Sequence, residues 1–172
     1  MQSASERDST DGISLSSNNR VNKDKKPKPT VVGEFNDTDL IGEKKVKICG
    51  VRVWHDGKKL NGIQAIYKQT DGTIIKGKKH VEDPYKYKAV KFDMEEDDYL
   101  KDVTGFISNE EDAVQCLVFR SAKDQVRRVG NAGEEAKQFK FDISENEFPA
   151  IIYGTVKGKN FFTFVFKGFR WT

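Results

Sequence analysis

Val46-Lys47-Ile48-Cys49-Gly50-Val51-Arg52-Val53-Trp54, followed by Leu60-Asn61-Gly62-Ile63-Gln64-Ala65-Ile66-Tyr67, decides the fold class of this chain. Apolar and polar residues alternate with a period near two, and many are β-branched, the pattern of strands with one buried face. Asp56-Gly57 and Asn61-Gly62 are turn signals, so strands over Val46–Val53 and Gly62–Lys68 read as a hairpin. Outward from it, the same texture recurs at Tyr87–Phe92, Leu100–Ile107, Val114–Phe119, Gln138–Phe141, Ala150–Val156 and Phe161–Phe169. Asp71-Gly72 and Asn131-Ala132-Gly133 punctuate it. Glu95–Asp98 and Gly133–Lys137 offer single helical turns at most. Many short strands without a helical layer imply an all-β sandwich, barrel or prism.

The 172 residues suit one domain with chain to spare. Hydrophobic residues make up 36% and charged residues 33%, a low apolar share that points to a segment outside the core. Residues 1–30 supply it. They are rich in Ser, Asn, Asp and Lys, and beyond Met1 only Ile13, Leu15 and Val21 are large and apolar. They are predicted to form a disordered tail ahead of a domain over 31–172. The closing Lys23-Asp24-Lys25-Lys26-Pro27-Lys28-Pro29 reads as a solvated linker rather than an import signal. No apolar secretion segment and no bilayer-length stretch is seen, so an intracellular, cytoplasmic setting is the expectation, with unconventional secretion left open.

Net charge is +3, from 30 basic and 27 acidic residues. Lysines and acids are interspersed along the sequence, so nucleic acid is not an expected partner. Cys49 and Cys116 lie in apolar runs and read as buried thiols. With His55 and His80 they make no zinc-ligand spacing, so no metal or cofactor is expected. The acidic run Asp93, Glu95, Glu96, Asp97, Asp98 lacks the spacing of a calcium loop and reads as a solvated turn. No nucleophile–base pattern or phosphate loop is present, and the chain is expected not to be an enzyme.

Three pieces together resemble the jacalin-like lectin family. The first is the opening pair of runs, with Gly62-Ile63-Gln64 and the aromatic Tyr67. The second is Val90-Lys91-Phe92-Asp93 with Asp98-Tyr99-Leu100-Lys101-Asp102-Val103-Thr104-Gly105. The third is Val114–Ser121 with Gly130–Gly133 and Phe139. The resemblance spans roughly residues 31–169. It implies a β-prism I fold: three four-stranded antiparallel Greek-key sheets about one core, with pseudo-threefold symmetry. It also implies carbohydrate binding, to a glycan or glycoprotein of mannose or galactose type, through loops at one end of the prism.

In that family a glycine-rich N-terminal loop meets a C-terminal Gly-x-x-x-Asp, whose carboxylate accepts sugar hydroxyls. Here the C-terminal match is Gly158-Lys159-Asn160-Phe161-Phe162, with Phe162 in place of the Asp. The N-terminal match is Val32–Asp37, which lacks paired glycines. Asp37 and Asn160, with Gly158 and Lys159, are the candidates left there. Some family members hold a second sugar in the first hairpin, which here reads Gly57-Lys58-Lys59-Leu60-Asn61, with Asn replacing Asp. These same residues also serve as plain turn formers. The C-terminus carries Phe161, Phe162, Phe164, Phe166, Phe169 and Trp171, whose alternation leaves one face for the core and the other either exposed for protein contact or covered within the prism. Two readings follow: a lectin with a degenerate sugar site, or a lectin-fold domain turned protein-interaction or structural subunit. Homo-oligomerisation is compatible with either.

Overall fold

A computed structural model describes residues 32–110, 113–140, 147–157 and 160–169. The polar tail read at 1–30 lies outside the described residues. In chain order the elements are β1 (Val32–Asn36), α1 (Thr38–Ile41), β2 (Val46–His55), β3 (Leu60–Gln69), β4 (Ile74–Lys76), β5 (His80–Val81), β6 (Lys88–Asp93), β7 (Leu100–Ile107), β8 (Val114–Ser121), β9 (Val126–Gly130), β10 (Lys137–Lys140), β11 (Phe148–Lys157) and β12 (Asn160–Phe169).

The hairpin forms as its sequence pattern requires. β2 and β3 pair antiparallel from Val46 opposite Gln69 to His55 opposite Leu60, with irregularities after Ile48 and Trp54. Val46, Ile48, Val51 and Val53 of β2 and Ile63, Ala65 and Tyr67 of β3 point into the core. Arg52 and Gln64, which lie between core positions, therefore take the outer face. The irregularity between Ile48 and Gly50 resets the alternation, which is why Val51 rather than Gly50 is the next core residue.

All sheets are antiparallel, in the orders β1-β11-β12, β10-β7-β8-β9 and β4-β3-β2-β6, with β5 also on β3. β4 and β5 lie along the same edge of β3, and the Gly77 amide keeps that edge bonded through the Ala65 carbonyl (2.8 Å). The two short strands thus occupy one edge position, interrupted at 77–79, and the expected four-strand unit is recovered. Each sheet is built on a sequence-adjacent hairpin, β2–β3, β7–β8 or β11–β12. This is the β-prism I arrangement.

The inner faces meet in one cluster that includes Ile48, Tyr67, Leu100, Leu117, Phe119 and Ile152. Each such side chain contributes about 1.5–3 kcal/mol on burial. Gly105 lies directly under the Phe139 ring, its partner across β7 and β10, so any side chain there would displace the ring. Both cysteines are free thiols: Cys116 is buried and Cys49 half-buried. The acidic run forms a turn rather than helix, as does 133–136 ahead of β10. Among the described residues the one helix is α1, four residues long, which seats the fully buried Ile41.

Candidate functional site

The β2–β3 loop is organised by Asp56. Its Oδ1 accepts the backbone amides of Lys58 (2.9 Å) and Lys59 (3.0 Å). The Gly57 amide donates to His55 Nδ1 (3.2 Å), and the Asp56 amide to the Lys59 carbonyl (3.3 Å). Gly57 has φ 93°, a conformation that favours glycine. Partial desolvation opposes the charge on Asp56, but it is outweighed by the Lys58 and Lys59 amides, the Asn61 side chain and the Lys59 charge. The carboxyl is held below its ordinary range.

Asp56, Gly57 and Lys58 are exposed and Lys59 half-buried, whereas Leu60 and Asn61 are buried, 2% and 4% exposed. The expectation that Leu60 and Asn61 present themselves to a ligand is therefore corrected. Leu60 opens β3 on the core side, and Asn61 braces Asp56 from within. The loop's exposed acceptor is Asp56, which the sequence had marked only as a turn residue.

Asp37 requires a larger correction, because it is fully buried. Its Oδ2 accepts the Tyr67 hydroxyl (2.7 Å) and its Oδ1 pairs with His80 Nε2 (2.8 Å). The Ile152 amide donates to the Tyr67 oxygen (3.4 Å), and the Asp37 amide donates to the Ile152 carbonyl (3.2 Å). The His80 ring lies 4.4 Å from that of Phe35, and Gly77 packs directly on the Asp37 carboxylate. Burial, then the charge and hydrogen bond of Asp37, push the Tyr67 hydroxyl far above the usual phenol range. A carboxylate engaged in this way is a clamp between β1, β3, β5 and β11, not an open sugar acceptor.

The strand register separates Asp37 from its proposed companion. Val32 stands opposite Lys157, which pairs with Asn160, whereas Asn36 stands opposite Tyr153. Asp37 lies at one end of β1 and Asn160 at the level of the other end, two strands across, which puts them roughly 19 Å apart at the usual strand rise and spacing. The structure does not bring them together. Gly158 and Lys159 lie outside the described residues, as do the side chains of Asn160 and the β12 phenylalanines, and Trp171.

The family model of the jacalin-like lectin domain matches residues 30–160. The chain belongs to the jacalin-like lectin domain family. No curated protein sequence matches it. Among solved structures, artocarpin with mannopentose is 19% identical, with 81% of this chain and 96% of that one covered and a TM-score of 0.62. Jacalin with melibiose is 18% identical, covering 78% and 97%, also at 0.62. The galactose-binding lectin from Champedak is 16% identical, covering 79% and 98%, at 0.63. These likenesses establish the fold, which is that of the jacalin β-prism lectins.

Within this jacalin-like domain, two other polar regions are built differently from the hairpin. The buried Asp98 accepts the Tyr99 (2.9 Å) and Lys123 (3.0 Å) amides. Desolvation opposes its charge, but the Ser121 hydroxyl, these amides and the Lys123 charge hold it below the ordinary range. Beside it lies an open cleft of about 330 Å³ lined by Lys47, Cys49, Lys68, Glu96 and Tyr99 among others. Lys47 sits 4.1 Å over the Tyr99 ring and Lys68 donates to the Glu96 carbonyl (2.9 Å). Burial raises the Cys49 and Cys116 thiols above their ordinary range. Among the described residues there is no cluster of His, Cys, Asp or Glu that would hold a metal, and no helix long and apolar enough to cross a membrane.

Proposed function

We propose that this jacalin-like domain binds carbohydrate without catalysing a reaction, through the exposed β2–β3 hairpin, with Asp56 as its hydroxyl acceptor. The observation that carries this reading is the state of Asp56: exposed, held in its charged form, and flanked by Lys58. A carboxylate offers about four acceptor positions. The Lys58 and Lys59 amides and Asn61 occupy three, which leaves one for a sugar hydroxyl while the loop lysine supplies donors. Lys88 pairs with His55, so the segment before β6 enters the sheet beside this hairpin. That segment carries Tyr85, 96% exposed, an aromatic surface suited to the apolar face of a pyranose.

The test is a glycan panel presented to the full chain, with Asp56→Ala and Asn61→Ala beside the parent. Losing a charge-assisted bond of about 1.5–3 kcal/mol weakens binding roughly 10- to 100-fold. That is the result expected for Asp56→Ala, with a smaller loss for Asn61→Ala. Silence across the panel from folded protein favours the second reading, a lectin-fold protein-interaction or structural subunit. The sealed Asp37, and Phe162 where the family places its Asp, speak for that alternative.

A further inference from the structure

Residues 46–93 hold eleven Lys and Arg against five Asp and Glu, a surplus of six in a chain whose net charge is +3. The topology gathers this surplus on one sheet. Arg52 stands directly opposite Lys91 across β2 and β6, and directly opposite Gln64 across β2 and β3. All three lie on the side of the sheet away from the core residues, with Lys91 exposed, Arg52 half-buried and Gln64 buried. Gln64 Nε2 donates to the Gly77 carbonyl (2.7 Å), and the exposed Lys78 and Lys79 continue the line along the edge of β3. At about 4.8 Å per strand, this cationic row crosses the sheet in roughly 15 Å.

Like charges directly opposite each other destabilise a sheet. Lys47 and Lys68 form a second opposed pair, and there the Tyr99 ring and the Glu96 carbonyl compensate. Arg52 and Lys91 have no such relief. Neither they nor Lys78, Lys79 and Lys88 form an ion pair among the described residues, and Arg52 Nε makes no hydrogen bond. Such a repulsion within the fold is relieved by an anionic partner outside it.

We propose that the outer face of the β4-β3-β2-β6 sheet is a docking surface for an anionic polysaccharide, sulfated or uronate-bearing. This inference rests on the glycan-binding reading only for the choice of saccharide over other polyanions. Two features favour that choice. The face adjoins the β2–β3 hairpin, because β2 runs from Arg52 directly into the Asp56 loop. It also carries Asp93, opposite Gly50 on the same outer face, and the hairpin carries Asp56. Saccharide hydroxyls can donate to these carboxylates, whereas a phosphodiester backbone offers only acceptors and is repelled by them.

The test measures binding of the full chain to heparin, to desulfated heparin and to a DNA duplex, at two salt concentrations. Heparin is expected to bind, more weakly at high salt, and desulfation and an excess of DNA are expected to have large and small effects respectively. The double variant Arg52→Glu/Lys91→Glu should weaken heparin binding at least tenfold. Arg127→Glu/Lys137→Glu, with the same change in net charge on another sheet, should stay within about twofold. Lys91→Gln, which removes the repulsion without adding an acid, should fold at least as stably as the parent and still bind heparin less well. The proposal is overturned by absent heparin binding, by equal losses in the two double variants, or by DNA bound as tightly as heparin. Neutral-glycan binding without heparin binding overturns it and leaves the hairpin reading standing. Heparin binding indifferent to Asp56→Ala, with no neutral glycan bound, upholds it and overturns the hairpin reading.

Discussion

Asp37 and Asp56 each directly follow a β-strand, Asp37 ahead of α1 and Asp56 at the start of the β2–β3 loop, yet their carboxylates serve opposite ends. Asp37, 0% exposed, spends both oxygens on Tyr67 and His80. Asp56, at the tip of an exposed loop, folds that loop around one oxygen and keeps its charge at the surface. What separates a structural carboxylate from one available to a ligand is how many acceptor positions the fold itself consumes and whether the remainder face water. Residue type and the place just after a strand are the same in both.

The comparison breaks most sharply at Asp37. Asp37→Ala leaves the Tyr67 hydroxyl and the His80 ring nitrogen buried without their acceptor, at about 1–3 kcal/mol each. A loss of roughly 2–5 kcal/mol in denaturant unfolding is expected, with glycan binding of the still-folded fraction unchanged. A smaller effect comes from Gly77→Ala. The added methyl meets the Asp37 carboxylate and comes within 2.7 Å of the Ala65 carbonyl, and that backbone oxygen cannot move aside cheaply. Overpacking of this kind costs about 1–3 kcal/mol, again read by equilibrium unfolding. Asp56→Ala inverts the pattern: under about 1 kcal/mol of stability, because water replaces the lost bonds, alongside the large loss of glycan affinity. If Asp56→Ala instead proved as destabilising as Asp37→Ala, the distinction between the two sites would collapse.

Acid sharpens the contrast with the smallest effect. Asp56 and Asp98 have folded-state pKa values below their unfolded ones. Their contribution to stability is complete above the unfolded carboxylate value, about 4, and is lost as pH falls through the depressed folded values. Thermal unfolding followed from pH 7 downward should therefore show this loss only below about pH 4. A decline setting in well above that would assign it to other groups.

The β2–β3 pair was legible because its alternation is strong and both strands are long. β1, β4, β5 and β9 were not. β1 carries Gly33 and Glu34, β4 and β5 have three and two residues, and β9 contains Arg127-Arg128. Such strands are held by their neighbours' edges rather than by a pattern of their own. α1 escaped notice because four residues leave no period, and the burial of Ile41 is what places it. Asn61 and Asp37 were misread for a shared reason. A polar residue beside a turn looks exposed in sequence, and only the packing of Tyr67, His80 and Leu60 reveals otherwise. The lysines of 46–93 looked interspersed with acids along the chain, and the pairing of β2 with β6 is what sets Arg52 beside Lys91.

The clamp at Asp37 also gives the protein an optical clock. While Tyr67 stays buried against that carboxylate, its phenolate cannot form, so its folded pKa is raised. The stability this contributes is complete below the ordinary tyrosine value, near 10, and erodes as pH rises beyond it. After a jump to alkaline pH, the near-ultraviolet absorbance of the Tyr67 phenolate can grow in only as fast as molecules open. One side chain thereby times the parting of β3 from β11 without any added label.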